Sequence, residues 1–384
     1  MDSSHLNAKP TNVTYTPVKE RCPMMKKYVE KDMGGCSLSG IMNEDGSRIS
    51  SDNIVRSIAV LHERGNGLGG GFAAYGIYPE YREYYALHLM FNNERSKELT
   101  EAFVETNFLV ELVERIPTRN VNSIIDPPIL WRYFVRPKDK LPDAEEDDLV
   151  AQSVMKINSS IDGAFVMSSG KNMGVFKATG FPEDVAKFYK LEEYEAYTWI
   201  AHGRFPTNTP GWCGGAHPFS LLDWSVAHNG EISSYGTNKR YLEMFGYVCT
   251  LMTDTEVMTY LFDLLVRRHH LPIEITSLAL ASPLWYDIDR MPPERRALCK
   301  AIRAVYGSTL VNGPFAIILG YRQGMVGLND RIKLRPLVAA RKKNTLYLAS
   351  EESGIREICK CPDEVWFPKA GEPVIGRLRE PVRC

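Results

Sequence analysis

No stretch of roughly eighteen or more consecutive apolar residues occurs in this 384-residue sequence, so a membrane-spanning helix is excluded. Neither sign of charge predominates. The 46 Lys and Arg residues face 47 Asp and Glu, which excludes a generally basic surface of the kind nucleic acid or an anionic membrane would require. Cysteine is sparse: eight in a chain of this length are too few for a disulfide scaffold and suit a reducing cytoplasm. The opening residues Met1-Asp2-Ser3-Ser4-His5 lack the charged-then-apolar layout of a secretory signal, which again favours the cytoplasm. Cys359-Lys360-Cys361 is a C-x-C with no second pair beside it, so neither a metal nor a cofactor is expected.

What is present reads as layered α and β structure in a chain long enough for a substantial core. Residues 1–35 are polar, charged toward their end, and stop at Gly34-Gly35, which reads as a leader ahead of a domain spanning 36–384. A strand-like run from Cys36 to Met42 follows, and then a helix from Ser51 or Asp52 with Ile54, Val55, Ile58 and Leu61 on one face. Further helices are expected over 94–115, 183–197 and from about Asp254 to Arg268, with an acidic surface loop from Lys138 to Asp148. Strands are expected at 164–167, 174–176, 315–319, 337–340 and 346–349, and an extended segment up to Glu231. Gly65-Asn66-Gly67-Leu68-Gly69-Gly70 fits G-x-G-x-x-G in letters only. It follows a helix and opens a strand, the reverse of a dinucleotide site.

Cys36 stands directly after Gly34-Gly35. Cleavage between Gly35 and Cys36 would place an amine beside the thiol, and a thiol attacks as its thiolate. An α-amine has a pKa of roughly 7.7–8.0 and is partly unprotonated at neutral pH, whereas a lysine near 10.4 is almost wholly charged. Downstream lie three clusters: His202 to Thr209 with Arg204, then Ala216-His217-Pro218-Phe219 with Ala227-His228-Asn229-Gly230-Glu231, then Thr253-Asp254-Thr255-Glu256. They supply a guanidinium able to grip a carboxylate with two parallel bonds, an Asn-Gly pair able to donate to an oxyanion, and a carboxylate able to receive an ammonium. Ordinary structural uses stay open for each. Cys36 could be a buried thiol, Arg204 a surface ion-pair residue, Asn229-Gly230 a turn, and Thr253 to Glu256 a capping box.

In their order and wording these clusters resemble the class II glutamine amidotransferases of the N-terminal-nucleophile hydrolases, most closely the amidotransferase part of glutamate synthase. The matching motifs are His202–Thr209, Ala227–Glu231 and Thr253–Glu256, with Arg64-Gly65, Asp330 to Leu337, Ala349-Ser350-Glu351 and Ala370-Gly371-Glu372. The resemblance spans about 36–376. It implies an α+β fold, a four-layer αββα sandwich of two antiparallel sheets between helices, with helical insertions near 94–150 and 270–310. It makes Cys36 the nucleophile, Asn229 and Gly230 the oxyanion hole, Arg204 and Asp254 the holders of the L-glutamine α-groups, and His217 a lining residue of the pocket. It implies removal of the leader and a partner synthase of flavin and iron–sulfur type that receives ammonia. An amidotransferase serving another acceptor and a non-catalytic regulatory domain of the same fold remain alternatives. Two positions depart from the pattern: Ser37 and Lys333 stand where the family has glycine.

Overall fold

The computed structural model describes residues 35–205 and 211–379. The expected leader, apart from Gly35, and Pro206 to Thr209 of the arginine motif lie outside the described residues. Two antiparallel sheets stack at the centre. From edge to edge the first contains Glu364–Trp366, Val338–Lys342, Thr345–Ala349, Ser37–Asn43, Thr198–Gly203, Gly70–Tyr75 and Met173–Ala178. The second contains Phe219–Leu221, Trp224–Gly230, Phe315–Tyr321, Gly324–Asn329 and Val374–Arg377. Helices Asp52–Ala59, Pro182–Phe188 and Glu352–Ile358 cover the first sheet, and Asp254–Phe262 with Tyr235–Glu243 covers the second. This is the four-layer αββα order that the sequence implies.

Ser37–Asn43 is the middle strand of its sheet and is buried on both faces, because helix covers one side and the second sheet the other. Its alternation separates the two environments. Ser39 Oγ meets Ser57 Oγ of the covering helix at 2.6 Å. Gly40 instead faces the second sheet, with Met325 Sδ 2.8 Å from where a Cβ would sit. Cys36 continues the Leu38 and Gly40 side of the alternation and so projects at the mouth between the sheets.

The region 270–310 is helical as expected, through Ile273–Leu280, Trp285–Asp289 and Pro293–Val305. The other insertion is mixed. The helix expected over 94–115 ends at Asn107, and Phe108–Arg115 is a strand beside Ile129–Pro137 in a sheet with Tyr85–Phe91 and Ala164–Ser168. Leu99, Phe103, Val110 and Val113 fit a helical stripe while Phe108, Val110 and Leu112 fit a spacing of two, and strand pairing decides between them. The acidic stretch is a loop only as far as Pro142. Asp143, Glu145 and Glu146 form the first turn of helix Asp143–Ser160, where negative side chains suit the positive end of the helix dipole. The helix expected over 183–197 stops at Phe188, and Lys190 then takes a φ of 52°.

Close approach of backbone to sheet fixes one position. A methyl on Gly71 would stand 2.2 Å from the His217 carbonyl oxygen and 2.8 Å from that of Phe176, both backbone atoms. Gly71→Ala is therefore expected to destabilise the fold by about 2 kcal/mol or more, read from the denaturant midpoint. An unchanged midpoint would mean that the His217 segment can lift away without cost.

Candidate active site

Arg64 pins the backbone around Cys36. Its carbonyl accepts from Gly35 N at 3.0 Å, its Nε donates to Cys36 O at 3.3 Å, and its Nη1 is fixed by Glu351 at 2.6 Å. The sulfur has one amide donor: Phe205 N–H points at Sγ from 3.3 Å. Burial pushes the thiol above its ordinary pKa, while that N–H and the charges of Arg204 and Arg335 act in the opposite direction. Among the described residues no imidazole or carboxylate is hydrogen-bonded to the sulfur.

The register of the first sheet brings Arg204 to Cys36. Ser37 pairs with Gly203, so the residues flanking that pair sit together at the strand ends. Arg204 is 6% exposed, its N–H donates to Gly69 O at 2.8 Å, and burial lowers its pKa. Asn229 and Gly230 end the strand Trp224–Gly230 in the facing sheet. Asn229 is buried, and among the described residues its Nδ2 has no hydrogen-bond partner. Gly230 has a φ of 144°, and a Cβ there would stand 1.9 Å from Pro314 O, so both backbone conformation and space require glycine.

Asp254 is the first residue of its helix, whose N-cap Thr253 accepts from Thr255 N at 3.3 Å. Glu256 does not close the expected capping box. It accepts instead from Thr250 N and Leu251 N at 3.1 and 3.0 Å. Burial would raise the Asp254 carboxyl, yet it is held below the usual range by His228 beside it, by Ile232 N–H at 3.0 Å and by the Thr255 hydroxyl. Its Oδ1 lies 3.5 Å from His228 Nδ1.

His217 belongs to a stack. Its ring lies 4.2 Å from that of His202 with 19° between the planes, and 6.3 Å from that of His228. His228 N donates to His217 Nδ1 at 3.2 Å, which leaves the proton on Nε2, 3.4 Å from Thr255 Oγ1. Burial drives His202 down to about 3 and His217 well below its ordinary value, so both rings are neutral. Both His217 nitrogens therefore face protein groups.

This arrangement sets a free thiol, an unpartnered amide donor, a buried guanidinium and an ionised carboxylate around one mouth between two sheets. The family described as Glutamine amidotransferases class-II matches residues 149–365. The chain belongs to the class II glutamine amidotransferases. An uncharacterised protein of Archaeoglobus fulgidus is 52% identical over 355 residues, covering 91% of this chain and 94% of the relative. A protein of Methanothermobacter thermautotrophicus named a putative glutamine amidotransferase is 26% identical over 328 residues, covering 84% of this chain and 93% of that one. An amidophosphoribosyltransferase of Methanocaldococcus jannaschii is 25% identical over 228 residues, 56% of this chain and 42% of that protein's length. Among the described residues no helix of this family member is long and apolar enough to cross a membrane.

Sequence reasoning passed over two contributors. Phe205 acts through its backbone, for which a sequence has no letter. Thr255 joins His217, His228 and Asp254 through one hydroxyl, and only its place in the Thr253–Glu256 cluster hinted at this. The Asp254 contacts carry a pH signature. A carboxyl whose folded pKa is depressed stabilises above its unfolded value of about 3.9 and loses that contribution as pH falls through the folded value. Asp254→Asn should cost about 1–3 kcal/mol at pH 7, with the gap to the wild type closing below about pH 4. Denaturant unfolding at the two pH values checks this, and a pH-independent gap would refute the ionic account.

Proposed function

We propose that this amidotransferase hydrolyses the side-chain amide of L-glutamine with Cys36, after cleavage between Gly35 and Cys36 has freed its amine, and passes the ammonia to a partner synthase. The observation that carries the reading is the buried, unpartnered Nδ2 of Asn229. A buried donor without an acceptor costs about 1–3 kcal/mol, a cost that makes sense where an acceptor forms during the reaction. In this mechanism the Cys36 amine takes the thiol proton and the thiolate attacks the glutamine carbonyl carbon. Asn229 Nδ2 and Gly230 N–H receive the oxyanion, and collapse breaks the C–N bond as the amine returns its proton to the leaving ammonia. Water then cleaves the thioester to glutamate and restores the thiol. A burial-raised thiol with no side-chain base bonded to it among the described residues favours the terminal amine as base.

Arg204 would hold the α-carboxylate and Asp254 the α-ammonium. His217 would shape the pocket through its contacts with Thr255 and His228 rather than exchange protons. A partner synthase of glutamate synthase type, with flavin and iron–sulfur centres, is what the resemblance in motif order and wording suggests. The Methanocaldococcus relative, an amidophosphoribosyltransferase by name, suggests a phosphoribosyl acceptor instead. Reconstitution of purified protein with each class of partner, following amination of the acceptor, separates the two.

The hydrolytic half is tested by ammonia release from glutamine, with intact mass establishing the amino terminus. Cys36→Ala should abolish release. Asn229→Ala should lower kcat by about 10²–10³, and Arg204→Lys should raise the glutamine KM with a smaller change in kcat. Unchanged turnover in the Cys36 variant would end this reading.

A further inference from the structure

Lys177 has no place in the chemistry described so far, yet it is among the most deeply buried charged side chains. It is 3% exposed and lies in Met173–Ala178, the edge strand of the seven-stranded sheet. No carboxylate pairs with it among the described residues. Its Nζ donates to Gly214 O at 3.0 Å and sits 4.2 Å above the Phe219 ring. A buried ammonium without a counter-charge is costly and calls for an explanation.

The sheet register explains how Lys177 reaches Gly214. Leu38, His202, Gly71 and Lys177 form one row across four strands and share a face. Gly71 leaves a gap in that row, and the His217 backbone passes through it. Lys177 therefore stands on the far side of this passing segment, opposite His202. The turn it grips, Cys213–Gly215, is also held by Thr179, whose Oγ1 lies 3.3 Å from Cys213 Sγ. Its last residue meets Arg204: a methyl on Gly215 would stand 3.3 Å from Arg204 Nη1. On the other flank a methyl on Gly69 would stand 3.0 Å from Arg204 Cδ and 3.2 Å from Ala216 Cβ. The Arg204 side chain thus runs in a slot with backbone for both walls.

We propose that Lys177 is a positioning residue for glutamine, fixing the Cys213–Gly215 turn as one wall of the slot that aims Arg204 at the substrate α-carboxylate. This rests on the glutaminase reading. Burial, with Arg204 nearby, lowers Lys177 to about 7 while Cys213 and Glu256 oppose the shift. Charged or neutral, the amine keeps an N–H to give Gly214. The positioning role accordingly holds on both sides of neutrality.

The test compares wild type with Lys177→Met, which keeps length and the ring contact but cannot donate. Both proteins are purified from expression of the full chain, with the amino terminus read by intact mass. Lys177→Met should raise the glutamine KM about tenfold at pH 6.5 and pH 8.5 alike, with kcat within about threefold. Alkylation of Cys36 by iodoacetamide, which has no α-groups for Arg204 to grip, should proceed at the wild-type rate. A merely structural role would change alkylation and kcat as well, and that result overturns the proposal. So does an unaltered KM in an active enzyme. A wild type that releases no ammonia would remove the glutaminase reading and this inference with it. Should Lys177→Met not fold, Lys177→Leu, which likewise cannot donate, enters the same comparison with the same outcomes.

Discussion

Enclosure of one thiol where two sheets end together is the constraint on which the site depends. The Ser37–Gly203 register sets Cys36 beside Arg204 and the Phe205 amide, and the facing sheet ends in Asn229 and Gly230. Enclosure raises the thiol, so cations and an N–H donor close to it serve to restrain that rise. The same enclosure keeps His202 and His217 neutral. Neutral rings can stack and exchange hydrogen bonds beside Arg204, whereas two imidazolium ions there would repel it and each other. Burial therefore acts in two ways at once. It demands a base for the thiol and it removes competing charge from around the guanidinium.

Much of this was legible because the candidate site residues sit at the ends of strongly patterned elements. The run from Cys36 to Met42, the Ala227–Glu231 cluster and the Thr253 cap each mark a boundary, and the structure has a boundary at each. The insertion was harder to read. Val110 and Val113 continue a helical stripe from Leu99 and Phe103 while Phe108, Val110 and Leu112 alternate, and the partner strand Ile129–Pro137 that decides between the two periods lies a dozen or more residues away. The acidic run before Leu149 reads equally as solvated loop, since composition alone does not distinguish a charged loop from a charged first turn. Lys177 was silent for a different reason. A single lysine in a short strand carries no local sign that a distant turn will bury it.

The two departures from the family pattern have separate physical accounts. Ser37 is tolerated because its strand neighbour is glycine: its hydroxyl occupies the space over Gly203, 2.4 Å from where a Cβ there would sit. Lys333 has a φ of 56°, the left-handed region that glycine enters without a Cβ penalty. Asp330 holds the turn in that shape, accepting from Phe315 N, Ile332 N, Leu334 N and Arg335 N. Four donors on one carboxylate outweigh a penalty of about 1 kcal/mol at one residue. The family glycine is thus a backbone requirement that this chain meets by other means.

Asp254 and Lys177 also show that electrostatic stability in the pocket has a direction in pH. Asp254 contributes above its unfolded value and is fully ionised through neutrality. Lys177 moves stability in the same direction at higher pH: its folded value of about 7 lies below its ordinary one, so the cost of burying its charge is present in full below neutral pH. As pH rises from 7 toward about 10, the folded chain holds a neutral amine while the unfolded chain stays charged, and that cost is relieved. Glu256, raised to about 7 by burial although two backbone N–H groups restrain the rise, runs against this: as pH climbs through that value the folded chain acquires a buried carboxylate and loses stability. The Lys177 and Glu256 contributions therefore offset each other as pH rises past neutrality, the interval in which an α-amine on Cys36 would become largely unprotonated.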